Sequence, residues 1–100
     1  MEQYERLYDD TERVNVRFIG MTTELARYDF SIMYTNSFFG KPLITCMQTG
    51  RSFLMCANDA EDVEHIQQLL HLSDEKEAIS ISDFFKEILP LTSMEPQYTD

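Results

Sequence analysis

Apolar and polar positions alternate through the first third of the chain. Val14, Val16 and Phe18 are interleaved with Arg13, Asn15 and Arg17, which predicts a half-buried strand at about 13–19. Tyr28, Phe30, Ile32 and Tyr34 alternate with Arg27, Asp29 and Ser31 and predict a second strand at about 27–35. The runs 43–48 and 52–57 are apolar at both parities, as in strands of a sheet interior or beneath a second layer. Thr49-Gly50 between them suits a hairpin turn, although less strongly than Asn-Gly. A two-residue loop there pairs Gln48 with Arg51 and therefore Cys46 with Phe53.

The period then changes. Asn58 or Asp59 can cap a helix whose first turn holds Glu61 and Asp62, and Val63, Ile66, Leu69 and Leu70 form its apolar stripe. This predicts a helix at about 59–71. Ser73-Asp74-Glu75 resembles a second cap, followed by Ala78, Ile81, Phe85 and Ile88 at helical spacing and stopped by Pro90. Ile79-Ser80-Ile81-Ser82 is poor helix material, and a short strand plus a helix capped at Ser82 competes with one continuous helix. The continuous helix is the preferred expectation. Tyr4, Leu7 and Tyr8 allow a docked helical turn before Asp9-Asp10, and residues 90–100 read as a mobile tail. The expected fold is α+β: a four-stranded antiparallel meander with two C-terminal helices packed on one face. One hundred residues support one core, so a single domain spans 1–100 with its core at about 12–89.

Composition adds a setting. With 43% apolar residues and only three glycines and three prolines, a packed interior is expected. No apolar run is long enough to span a membrane, and the N-terminus lacks the basic and apolar regions of a secretory signal, so a cytoplasmic protein is expected. Cys46 and Cys56 fall several residue pairs apart in either hairpin register, beyond disulfide reach, and read as small buried hydrophobes.

The net charge of -10 argues against nucleic acid and anionic membranes as partners. It is unevenly placed. Five acids face Arg6 in residues 1–12, and eleven face Lys76 and Lys86 in residues 52–100. Residues 13–51 reverse the balance, with Arg13, Arg17, Arg27, Lys41 and Arg51 against Glu24 and Asp29.

Candidate chemistry is sparse. Glu61 and His65 can share a helix face, but His71 lies about 240° further round, and two ligands do not close a zinc site. No local signature joins Cys46 or Cys56 to a histidine, and three isolated glycines make no phosphate loop. No cofactor or metal is expected.

Two surface features stand out. Alternation puts Arg13, Arg17 and Arg27 on one sheet face, away from the helices if Val14, Val16 and Phe18 are core, where they can hold an anion. The connection Thr35-Asn36-Ser37-Phe38-Phe39-Gly40-Lys41-Pro42 carries two adjacent phenylalanines. They are either interface anchors or a cap folded over the open end of the core. Two helices cover only one sheet face, so the other needs the N-terminal segment or a second subunit.

Arg17-Phe18, Arg27-Tyr28-Asp29, Phe39-Gly40-Lys41 and Gln48-Thr49-Gly50-Arg51, in this order, resemble a family of small uncharacterised cytosolic proteins of Firmicutes, a domain of unknown function. The resemblance spans about residues 12–89 and implies a bacterial cytosolic setting, with no functional residues to transfer. The leading expectation is a non-catalytic, self-associating interaction module that uses the second sheet face and Phe38, Phe39 and Lys41. A homo-oligomer is expected, and another protein partner is allowed. The alternative is an anion or nucleic-acid binder on Arg13, Arg17 and Arg27; a small enzyme built from residues distant in sequence ranks third.

Overall fold

The computed structural model describes residues 3–91. Four strands, β1 (Asn15–Thr22), β2 (Arg27–Tyr34), β3 (Leu43–Cys46) and β4 (Ser52–Leu54), precede two helices, α1 (Val63–Leu69) and α2 (Glu75–Ile88). The strands pair in chain order and all antiparallel, so the expected α+β meander is the fold. Phe30 and Ile32 of β2, Ile44 and Cys46 of β3 and Phe53 of β4 meet Ile66 of α1 and Ala78, Ile81 and Phe85 of α2 in one buried core. The Phe85 ring stands edge-on to Phe30, with centroids 5.0 Å apart.

The inward face of β1 is the reverse of the expectation. Arg17 pairs with Ile32, Ile19 with Phe30 and Met21 with Tyr28. Residues opposite each other in a ladder share a face, so Arg17, Ile19 and Met21 turn to the helices, while Val16 and Phe18 turn away. Both parities of this segment carry apolar residues. The choice belongs to β2, whose Phe30 and Ile32 fill the core.

The β3–β4 hairpin also differs. Ile44 pairs with Phe53 and Thr45 with Ser52, and the Cys46 N–H donates to the Arg51 carbonyl, which leaves four residues, 47–50, in the loop. Gly50 takes the left-handed conformation (φ 76°) and its N–H donates to the Cys46 carbonyl at 2.7 Å. The register has slipped by two residues from the tight turn, an even shift that preserves the face of every side chain. Cys46 and Cys56 are buried free thiols.

α1 begins later than expected. A 3₁₀ turn at Asp59–Glu61 precedes it, and the cap is Asp62, whose side chain accepts the His65 N–H. Asp59 cannot serve, because its carboxylate accepts from Lys41 Nζ and the Cys56 N–H. The helix closes in a Schellman motif. Leu72 N–H donates to the Gln67 carbonyl and His71 N–H to that of Gln68, with His71 (φ 56°) where glycine is usual.

α2 is one continuous helix capped by Asp74. Ser82 is tolerated inside it because its buried hydroxyl donates to the Ala60 carbonyl across the packing seam. Ile79 and Ser80 face outward.

The N-terminal segment forms no helical turn. Residues 4–14 have no regular structure, and Tyr4, Leu7 and Tyr8 are exposed. At the other end, the Pro90 and Leu91 carbonyls accept from Ala57 and Asn58 N–H, so the tail is anchored through residue 91. The rest of the expected mobile tail lies outside the described residues.

Candidate functional site

The sheet face opposite the helices is uncovered by described residues and carries a continuous apolar row. Val16 pairs with Met33, Met33 with Leu43 and Leu43 with Leu54, so one row crosses all four strands. The next row is Phe18, Ser31, Thr45 and Ser52, with Phe18 76% exposed and the Thr45 and Ser52 hydroxyls 2.7 Å apart. A row of this kind loses contact with water only against another surface.

The row crosses the sheet at Met33 and Leu43, beside the connection from β2 to β3 that carries the Phe38–Phe39 turn. Phe38, Phe39 and Gly40 have φ of 54°, 66° and 73°, three successive left-handed residues. The turn is closed by Gly40 N–H donating to the Ser37 carbonyl. Left-handed backbone costs an L-residue about 1–2 kcal/mol, and two phenylalanines carry that strain here. Burial recovers little of this at Phe39, which is 87% exposed, whereas Phe38 is 55% exposed. Of the two roles open to this pair, capping the core is therefore excluded for Phe39.

Polar contacts hold the turn at both ends. Glu12 reaches across from the segment before β1, accepting from the Thr35 hydroxyl at 2.7 Å, the Asn36 N–H at 2.8 Å and the Ser37 hydroxyl at 3.4 Å. The Asn36 N–H and Thr35 hydroxyl hold the Glu12 carboxyl below its ordinary value. At the far end Lys41 Nζ lies 2.8 Å from Asp59. Its hydrogen bond to Asp59 raises the Lys41 pKa. Burial opposes ionisation of Asp59, but Lys41 and Cys56 together hold its carboxyl below the usual range. Lys41, expected as a partner contact, thus stabilises the turn from within the chain.

The three arginines do not share a face. Arg17 lies on the helix side and its Nη1 donates to the Ile88 carbonyl at the end of α2 (3.4 Å), where a cation suits the helix dipole. Arg27 pairs with Thr22 on the open face, and its Nη2 donates to Asp29 at 3.1 Å. Gln48 binds the other Asp29 oxygen at 2.7 Å, and Asp29 is held below its ordinary pKa by Arg27 first and Gln48 second. Arg13 precedes β1 beside Glu12 and Asn36. The expected single basic face depended on Val16 and Phe18 pointing inward, and it is lost with that register.

Other polar groups are structural in their contacts. Glu77, 6% exposed, accepts from the Tyr28 hydroxyl at 2.6 Å and the Thr23 hydroxyl at 2.7 Å, tying the β1–β2 turn to α2. Burial first, then the bond to Glu77, raises the Tyr28 pKa above its ordinary 10.0. Cys56 is buried and its thiol donates to Asp59 at 3.4 Å. Glu61 lies in the 3₁₀ turn before α1 and His65 within the helix, so the single helix face expected for the pair is not formed, and His71 lies beyond the end of α1. Among the described residues no group of three or more His, Cys, Asp or Glu is placed to hold a metal ion, and no helix is long and apolar enough to cross a membrane.

The Glu12 anchor, the left-handed phenylalanines and the Tyr28–Glu77 contact escaped sequence reading. Gly40 after two aromatics was the one hint of positive φ. Nothing local marks Glu12 or Glu77, whose partners lie more than twenty residues away.

The chain belongs to the SAV0927-like family, whose profile matches residues 7–87. No curated protein matches it. The match covers the whole sheet and nearly all of α2, together with Leu7 and Tyr8 of the N-terminal segment, and agrees with the resemblance along residues 12–89 as far as a family of uncharacterised proteins.

Proposed function

We propose that this member of the SAV0927-like family is a non-catalytic interaction module that self-associates through its open sheet face and the Phe38–Phe39 turn. The observation that carries it is the turn. Two adjacent phenylalanines are held in unfavourable left-handed backbone with the Phe39 ring 87% exposed, and backbone strain of this kind persists where a surface is used. The apolar row from Val16 to Leu54 crosses the sheet next to the connection that carries this turn, giving a surface with an aromatic anchor at one margin. The expected setting is the reducing cytosol of a Firmicute bacterium, where two buried free thiols are stable.

The test is mass by light scattering over a concentration series. The chain should run as a dimer, and Phe18→Lys or Phe39→Ser should shift the dissociation to higher concentration while leaving the monomer folded. A monomer at the highest concentration, with neither variant different from it, overturns the proposal.

A further inference from the structure

We infer that the surface is completed by exchange: the N-terminal arm of a second copy, residues 3–11, adds as a strand to the free edge of β1 and lays its apolar side chains beside the open face. This rests on the self-association proposed above and names its occupant.

The two edges of the sheet are unlike. β4 is three residues long, and the chain just beyond it is paired with Pro90 and Leu91. β1 is eight residues long and its outer side has no backbone partner among the described residues. It contains no proline, and no bulge interrupts its register with β2. Its one charge, Arg17, is turned to the helix layer. Arg17 is therefore the one guard on this edge, an inward charge that Ile88 holds at the end of α2, and the rest of the strand is an open template for another strand.

The arm fits that template in length, side chains and charge. Nine extended residues reach about 30 Å, against about 26 Å for the eight of β1. Strand alternation puts Tyr4 and Tyr8 on one face and Leu7 on the other. In the antiparallel register that sets Tyr8 beside Phe18, Leu7 falls beside Ile19 and next to Met21, both only half buried in the single chain, and Tyr4 reaches Thr22. Residues 3–11 carry Glu5, Asp9 and Asp10 against Arg6, whereas residues 13–22 carry Arg13 and Arg17 and no acid. An acidic strand thus meets a basic edge.

The Glu12 anchor directs the arm to another molecule. Glu12 is bound to Thr35, Asn36 and Ser37, which follow β2, so it sits on the inner side of β1. Only Arg13 and Val14 separate it from the start of the strand. To fill its own outer edge the arm would have to cross the end of β1 within those two residues while Glu12 stayed bound. In the single chain Tyr4, Leu7 and Tyr8 accordingly remain exposed. Two copies exchanging arms around a two-fold axis satisfy both edges at once, as a closed dimer requires.

The test uses the full-length chain. In an equal mixture of isotope-labelled and unlabelled protein, filtered nuclear Overhauser spectra should show intermolecular contacts from Tyr8 to Val16 and Phe18 and from Leu7 to Ile19. The double variant Leu7→Asp/Tyr8→Asp should raise the dimer dissociation constant at least a hundredfold. The unfolding midpoint of the dilute monomer should not move, because neither side chain packs on its own chain. A dimer that lacks those contacts and dissociates like the parent, whether built by β1 pairing with β1 or face to face, overturns the exchange and leaves the broader proposal standing. Arm-to-β1 contacts found only within one molecule overturn it too. A chain monomeric at every concentration removes both.

Discussion

Replacing Phe39 with glycine should strengthen the monomer and weaken the dimer. At φ 66° the phenylalanine sits in left-handed backbone, which costs an L-residue about 1–2 kcal/mol and glycine nothing. Glycine's greater freedom in the unfolded chain takes back about 0.5–1 kcal/mol. With the ring 87% exposed, its removal forfeits little burial within the monomer. The net expectation is a gain of about 0.5 kcal/mol. At a urea slope of about 1 kcal/mol/M, suited to a domain of this size, the midpoint should rise by roughly 0.5 M with an unchanged slope. Association should move the other way. Burying one ring at an interface is worth about 2 kcal/mol, and a two-fold dimer loses two rings, so the dissociation constant should rise roughly a thousandfold. Urea melts at a concentration where the parent is monomeric give the first number, and sedimentation equilibrium gives the second. Phe39→Ala is the control: it keeps the strain, so it should weaken association without stabilising the monomer. A midpoint that falls in Phe39→Gly would show that the ring packs on its own core. Unchanged association would remove the turn from the interface.

Three further outcomes follow from the contacts. Tyr28→Phe removes a charge-assisted hydrogen bond to Glu77 but leaves the Thr23 hydroxyl in place, so it should cost about 1.5 kcal/mol by urea melt; a loss under about 0.5 kcal/mol would mean the pair does not hold the β1–β2 turn to α2. The same variant should abolish a tyrosine that ionises above the ordinary 10.0 in an ultraviolet titration. His71→Gly places the preferred residue at the left-handed end of α1 and should stabilise by about 0.5–1 kcal/mol, unless the imidazole makes a contact beyond the backbone motif. Glu12 has a depressed carboxyl, so its anchor is fully present above its unfolded value, near 4.5, and is lost as pH falls through the lower folded one. The Asn36 amide resonance should report that release with a midpoint below 4.5, and Glu12→Gln should erase the transition.

Local chemistry alone determined the order and kind of the elements. Alternation marked β2 with its correct inward face, since Tyr28, Phe30, Ile32 and Tyr34 stand against a parity whose one apolar member is Met33. The spacing of Ala78, Ile81 and Phe85 carried α2 through Ile79–Ser82, where propensity pointed elsewhere, because burial of that stripe outweighs a few tenths of a kcal/mol of poor helix formers. Short connections sufficed to make the sheet a meander.

The face of β1 was not decidable in the same way. Val16 and Phe18 on one parity, and Ile19 and Met21 on the other, are equally apolar; only the ladder with β2 selects between them. That selection moved Arg17 to the helix layer, left Arg27 with Asp29 on the open face and exposed Phe18. The basic face expected from alternation became an apolar one. The left-handed phenylalanines and the Glu12 anchor belong to tertiary structure for the same reason. Each is fixed by partners distant in sequence, whereas periodicity reports only what neighbours along the chain require.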